Sequence, residues 1–200
     1  MTASKPPLPS RGTIRSNARA LEWWQRYCHP VEGDSATRAR LRRCRSATDA
    51  VSVPAAVHLA RMIGGLSQTQ ADDDHRVIAA LDLSRVLAHV THHVETQRPM
   101  QTAGWKSFPG ERRESDAGED RPILSEMRFR RLLASARGEA QVSAFIRLIA
   151  LLGGAVNVTA LADDFIFWND RTKRRWAFDY YAAGVAAPAD SDTLSEDTDA

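Results

Sequence analysis

Cysteine is nearly missing from this 200-residue chain. Cys28 and Cys44 are its two cysteines and form no CxxC pair, which excludes a disulfide framework and a zinc knuckle and fits a reducing compartment. Long hydrophobic runs are missing as well. The longest, Phe145 to Leu152, is broken by Arg147, and a bilayer span needs about 20 residues, so no membrane partner is expected. The N-terminus, MTASKPPLPSRGTIRSNAR, lacks the apolar core of a secretory signal, and a cytoplasmic location is expected. There is also no GxSxG, no HExxH, no glycine-rich phosphate loop and no His-Asp dyad. The chain is therefore not read as an enzyme, and no catalytic residue, cofactor or small-molecule substrate is expected.

What is present is an apolar fraction of 43%, enough to bury the core of one ordinary domain or two small helical ones. The formal net charge of +2 conceals an uneven distribution. Residues 185–200 hold five acids and no base, so the rest of the chain carries +7. Ten bases against four acids in residues 1–50 give +6, ten against seven in 120–181 give +3, and the middle, 51–119, is −2. Basic density at both ends of a folded body favours a polyanionic partner, because neutralising phosphates releases condensed counterions.

The hydrophobic periodicity predicts an all-α chain. Residues 1–15, with three prolines among small polar residues, read as a disordered arm. An apolar stripe through Ala18, Leu21, Trp24, Tyr27 and Cys28 predicts a first helix, and Ser35 is read as the cap of a second, ATRARLRRC, in which Arg38, Arg42 and Arg45 share a basic face. Pro54 opens a third helix that stops at Gly64-Gly65. A fourth, long and amphipathic, is expected from the Asp72 to Asp74 cluster to Val94. Residues 97–122 lose all periodicity and collect prolines and glycines, the mark of a linker loop. Beyond it, Ser125 is expected to cap MRFRRLL, an apolar helix over 139–152 to form the buried centre closed by Gly153-Gly154, Asn157 to cap VTALADDFIFW, and Asp170 to cap RTKRRWAFDYYAA. The organisation expected is two small helical bundles, 16–97 and 123–184, joined by a long loop over 98–122, with an acidic disordered tail over 185–200.

Two groups of residues compete for a functional role. Arg128 and Arg131 project together from one helix side, and Arg171, Lys173, Arg174 and Arg175 crowd a helix N-terminus, where the macrodipole disfavours cations unless an anion docks. His89, His92 and His93 put two imidazoles at i and i+4, a spacing that can chelate zinc, but no third ligand stands at a diagnostic spacing. They are read as surface histidines and no metal site is assigned. Trp23, Trp24, Trp168, Trp176, Phe178, Tyr180 and Tyr181 could stack on bases and are read as core.

With those residues in hand, the chain resembles the CasB family, the small subunit of the type I-E CRISPR Cascade surveillance complex. The resemblance is carried by SEMRFRRLL (125–133), RLIALL (147–152), VNVTALADDFIFW (156–168) and KRRWAFDYY (173–181), with LEWWQRY (21–27) and RLRRC (40–44) near the N-terminus, and covers about residues 16–183. It implies a two-lobed, helical, non-enzymatic protein present as two copies along the complex, in contact with the other Cascade subunits, the guide RNA and target DNA including the displaced strand. Carried over, the nucleic-acid-facing residues are Arg42, Arg43, Arg128, Arg131, Arg171, Lys173 and Arg174. The departures are the longer Pro-rich arm, the acidic tail, and Met127 where the family often has another base. Two readings outside the family stay open at this point: a free helical DNA-binding regulator, which needs an exposed recognition helix, and a metal-dependent hydrolase built on the histidines.

Overall fold

The computed structural model describes residues 11–64, 70–106 and 121–182, and among them the class is all-α. The Pro-rich start of the arm, the stop at Gly65, most of the linker and the acidic tail lie outside the described residues. In chain order the elements are α1 (Arg11–Tyr27), α2 (Ser35–Arg43), α3 (Ala47–Val51), α4 (Pro54–Gly64), α5 (Gln70–Leu87), β1 (His92–His93), α6 (Pro99–Ala103), α7 (Glu126–Leu133), α8 (Glu139–Leu151), β2 (Ala155–Val156), α9 (Val158–Ile166) and α10 (Asp170–Tyr180).

Caps locate several of these elements, not always at the expected residue. Asp34, not Ser35, caps α2, because its carboxylate accepts from the amides of both Ala36 and Thr37. Asn169, not Asp170, caps α10 by accepting from Thr172 N, which leaves Asp170 as the acid of the first turn. Asn157 caps α9 as its spacing predicts. Ser125 stands at the N-cap of α7, but its side chain makes no capping bond.

Among the described residues, one cluster of buried side chains runs from Ala20 to Tyr180. α1 packs on α4 and α9, and α5 packs on α4, α8 and α9, so helices before and after the 107–120 segment share one set of buried side chains. Trp23 anchors α1 by donating to Ala55 O at 2.7 Å. The centre is the second half of α5, not α8. Every residue from Ala80 to Ala88 is buried, including Asp82, Ser84 and Arg85. Arg85, 5% exposed, answers the cost of burying a charge by binding Asp82 at 2.8 Å, Glu139 at 2.5 Å and Cys44 O at 3.1 Å. One guanidinium thereby ties α5 to the end of α2 and the start of α8. α8 itself buries Val142, Phe145, Leu148 and Ile149, while Arg147 and Ala150 remain exposed.

The expected helix to Val94 ends at Leu87. Val86, Val90 and Val94 recur every four residues, a spacing that satisfies a strand's period of two as well as a helix. Here Thr91 N and His92 N donate to Gly154 O and Val94 N to Val156 O, so β1 and β2 pair in parallel over two residues each. α6 stands inside the stretch expected to be loop, with Pro99 at its first position and Met100 and Ala103 in the core.

Candidate nucleic-acid interface

Aromatic packing fixes the frame on which the cations sit. Phe145 meets Phe165, Trp168 and Trp176 with ring centroids 5.1 to 5.2 Å apart, and Phe129 stacks on Tyr180 at 3.9 Å. Tyr180 also donates to Leu124 O at 2.8 Å. Trp23, Trp24, Trp168, Trp176 and Tyr180 are buried, as the core reading expects, whereas Phe178 is 48% exposed. Buried rings of this kind set backbone positions and are closed to bases.

The arginines divide into two kinds. Arg85 is enclosed and paired as described, and Arg175 pairs with Asp164, which is 2% exposed and accepts from Trp176 Nε1 at 2.6 Å. Burial pushes the Asp164 carboxyl up to about 6, with the Arg175 cation opposing the rise. The residues expected to face nucleic acid are different. Arg42 and Arg43 lie exposed in the last turn of α2, Arg128 and Arg131 on the outer side of α7, and Arg171 and Arg174 in the first two turns of α10. Lys173, half-buried, places its ammonium 5.5 Å from the Trp168 ring centre. None of the seven has a carboxylate partner among the described residues.

Two of the seven, Arg128 and Arg131, line a groove of about 940 Å³ between α7 and α8 together with Arg147, over a floor that includes Ala140, Ala144 and Leu151. The α2 group is joined to this groove through Arg85, which binds both Cys44 O, next to Arg43, and Glu139, a groove residue. The α10 group is joined through Trp168, which lies under Lys173 and donates to the groove residue Ser135 at 3.2 Å. Arg147 was missed as a candidate although its signal was present. A charge interrupting the longest apolar run has to face water or a partner.

The expected basic face of Arg38, Arg42 and Arg45 is incomplete, since Arg38 is half-buried and donates to Ala88 O at 3.0 Å. Arg38 and Arg42 stand beside His89, whose pKa falls to about 4, chiefly by burial and then by those two cations. The histidines do not share a helix face. His89 is in the turn after α5, His92 and His93 are in β1, and His93 Nδ1 accepts from Val158 N at 3.1 Å. Among the described residues no three His, Cys, Asp or Glu side chains form a group able to hold a metal. Burial also pushes the Cys28 thiol up to about 12, which leaves it unreactive. No helix among the described residues is long and apolar enough to cross a membrane.

Residues 37–181 match the family model of the CRISPR-associated protein Cse2. The chain belongs to the Cse2 family. The stretch matched runs from α2 to the end of α10 and so contains all seven cations and the groove. No curated protein sequence matches this Cse2 chain. Among solved structures, it is similar to a chain in the crystal structure of E. coli Cascade bound to a PAM-containing dsDNA target with a 32-nt spacer, at 15% identity and a TM-score of 0.56, covering 84% of this chain and 97% of the other. At that identity the likeness is one of fold, and it shows the Cse2 helices in the arrangement of a chain from such an assembly.

Proposed function

We propose that the chain is the non-catalytic small subunit of a CRISPR RNA-guided surveillance complex, where it grips nucleic acid without reading its sequence and helps to hold an R-loop open. The observation that carries this reading is the sorting of its cations. Arg85 and Arg175 on the core side are matched to carboxylates, whereas Arg42, Arg43, Arg128, Arg131, Arg171 and Arg174 are exposed, and Lys173 half-buried over Trp168, without one among the described residues. Unmatched cations held on a packed helical frame suit a phosphate backbone, with its regularly spaced charge. Exchange of a DNA duplex for a guide heteroduplex is nearly balanced in base-pair energy, so backbone contacts of modest strength are enough to tip it. The partners in this reading are the other Cascade subunits, the guide RNA, target DNA including the displaced strand, and a second copy of the chain.

The test is co-purification of the tagged chain with the subunits encoded beside it. The expected result is recovery of the other subunits together with guide RNA, and a weak, sequence-indifferent affinity of the isolated chain for DNA that collapses with salt. Retention on DNA that is the same at low and high salt would overturn it, and protection of one operator sequence would favour a free regulator instead.

A further inference from the structure

Two features stand outside the proposed function: the apolar floor of the α7–α8 groove and the acidic C-terminal segment. We propose that they fit each other, so that residues 190–199 dock in the groove of their own chain and cover its arginines. The groove offers Arg128, Arg131 and Arg147 without carboxylate partners among the described residues, above Ala140, Ala144 and Leu151. Its one carboxylate, Glu139, is held by Arg85, which it shares with Asp82. Beyond Pro188 the sequence holds a single large apolar residue, Leu194, with Asp190 and Asp192 on one side, Glu196, Asp197 and Asp199 on the other, and no base. One apolar side chain for the floor and acids on both sides for the basic rim is the complement the groove presents.

The point of departure makes the contact local. α10 ends on α7 itself, with Tyr180 stacked on Phe129 and Tyr181 donating to Glu126 at 3.1 Å. α7 is eight residues long, roughly 12 Å at the helical rise. The twelve residues that follow Ala182, up to Leu194, extend to roughly 40 Å, so the segment spans the groove with chain to spare. Tethered so close, a weak contact is populated, because the linker sets a high effective concentration. The segment then competes with any polyanion for the same arginines. The docking stands on charge, shape and tether alone, and only this competition rests on the proposed function.

Nitrogen-15 relaxation on the full chain tests the contact. Amides of residues 190–199 are expected to be restrained, and to be released both by about 1 M salt and by R128Q/R131Q/R147Q, whose side chains are exposed and leave the core intact. Amides that are freely mobile in the unsubstituted chain, or restrained amides indifferent to those substitutions, would overturn the docking. So would restraint that vanishes on dilution, which places the segment on a second copy. In parallel, D190N/D192N/E196Q/D197N/D199N is expected to bind mixed-sequence single-stranded DNA about tenfold more tightly if the groove is closed nine-tenths of the time. A docked segment with unchanged DNA affinity would leave the docking in place and overturn the nucleic-acid role of the groove.

Discussion

At Asp164 a carboxylate is carried into a site 2% exposed, where the Arg175 guanidinium, the Trp176 indole N–H and the more distant Arg98 only partly compensate its burial. Burial raises its pKa from 3.8 to about 6. Between those values the folded chain retains a proton that the unfolded chain has released. The stability this group contributes is therefore complete below about pH 4 and is lost as the pH rises through 6. Asp164→Asn keeps an acceptor for Trp176 without a charge to bury. Urea unfolding at pH 4 and pH 7 should show the stability difference between variant and parent moving in the variant's favour by up to about 3 kcal/mol. A difference that stays constant with pH would mean that Asp164 is ionised at no cost. The same comparison bears on what a sequence discloses about a single residue. Asp164 and Arg175 are eleven apart on different helices, so no helical spacing pairs them, and Arg85 reads as an ordinary charge until the burial of all its neighbours is known.

At the scale of elements, the turn from α8 into β2 rests on two glycines with different duties. Both have left-handed backbones, φ 64° at Gly153 and 82° at Gly154. A Cβ on Gly153 would meet nothing within 4 Å, whereas one on Gly154 would lie 2.3 Å from the Thr91 hydroxyl and 3.2 Å from its Cβ. Gly153→Ala is expected to cost about 1 kcal/mol, the ordinary left-handed penalty. Gly154→Ala adds a clash that pushes β1 from β2 and should cost about 2 to 3 kcal/mol. Thermal unfolding separates the two, and equal losses would show that the strand pair tolerates displacement. These elements also mark where the sequence was readable. Pro54 and the double glycine act through their own backbone, and Asn157 through a side-chain cap three residues on, so they locate α4, α9 and the end of α8 directly. The end of α5 depends on Gly154, more than sixty residues away, accepting from Thr91 and His92. The burial of Ala80 to Ala88 depends on α4, α8 and α9 closing around them, which no window of sequence contains.

For the whole molecule, the proposed grip on a polyanion turns on the relation among the three cation groups. Arg128 and Arg131 share the groove with Arg147, a placement legible in part from their spacing of three. The links to the α2 and α10 groups run through Arg85 and Trp168 and were not legible, because both side chains are fixed by long-range packing. If one phosphate track passes all three groups, each engaged cation contributes roughly 0.7 to the dependence of log affinity on log salt for a single strand. Replacing Arg42 and Arg43 by alanine, or Arg128 and Arg131, should lower that slope by about 1.4 in each case. Replacing Arg171, Lys173 and Arg174 should lower it by about 2. Effects that add across combined variants identify a single continuous track, since independent contacts contribute additively. A group whose removal leaves the slope unaltered does not touch the nucleic acid, and its exposed cations would then be free to meet acidic surfaces of neighbouring subunits. Fluorescence anisotropy of labelled single-stranded DNA across a salt series distinguishes these outcomes, provided the residue 185–200 segment is present throughout, because its five acids oppose the same slope.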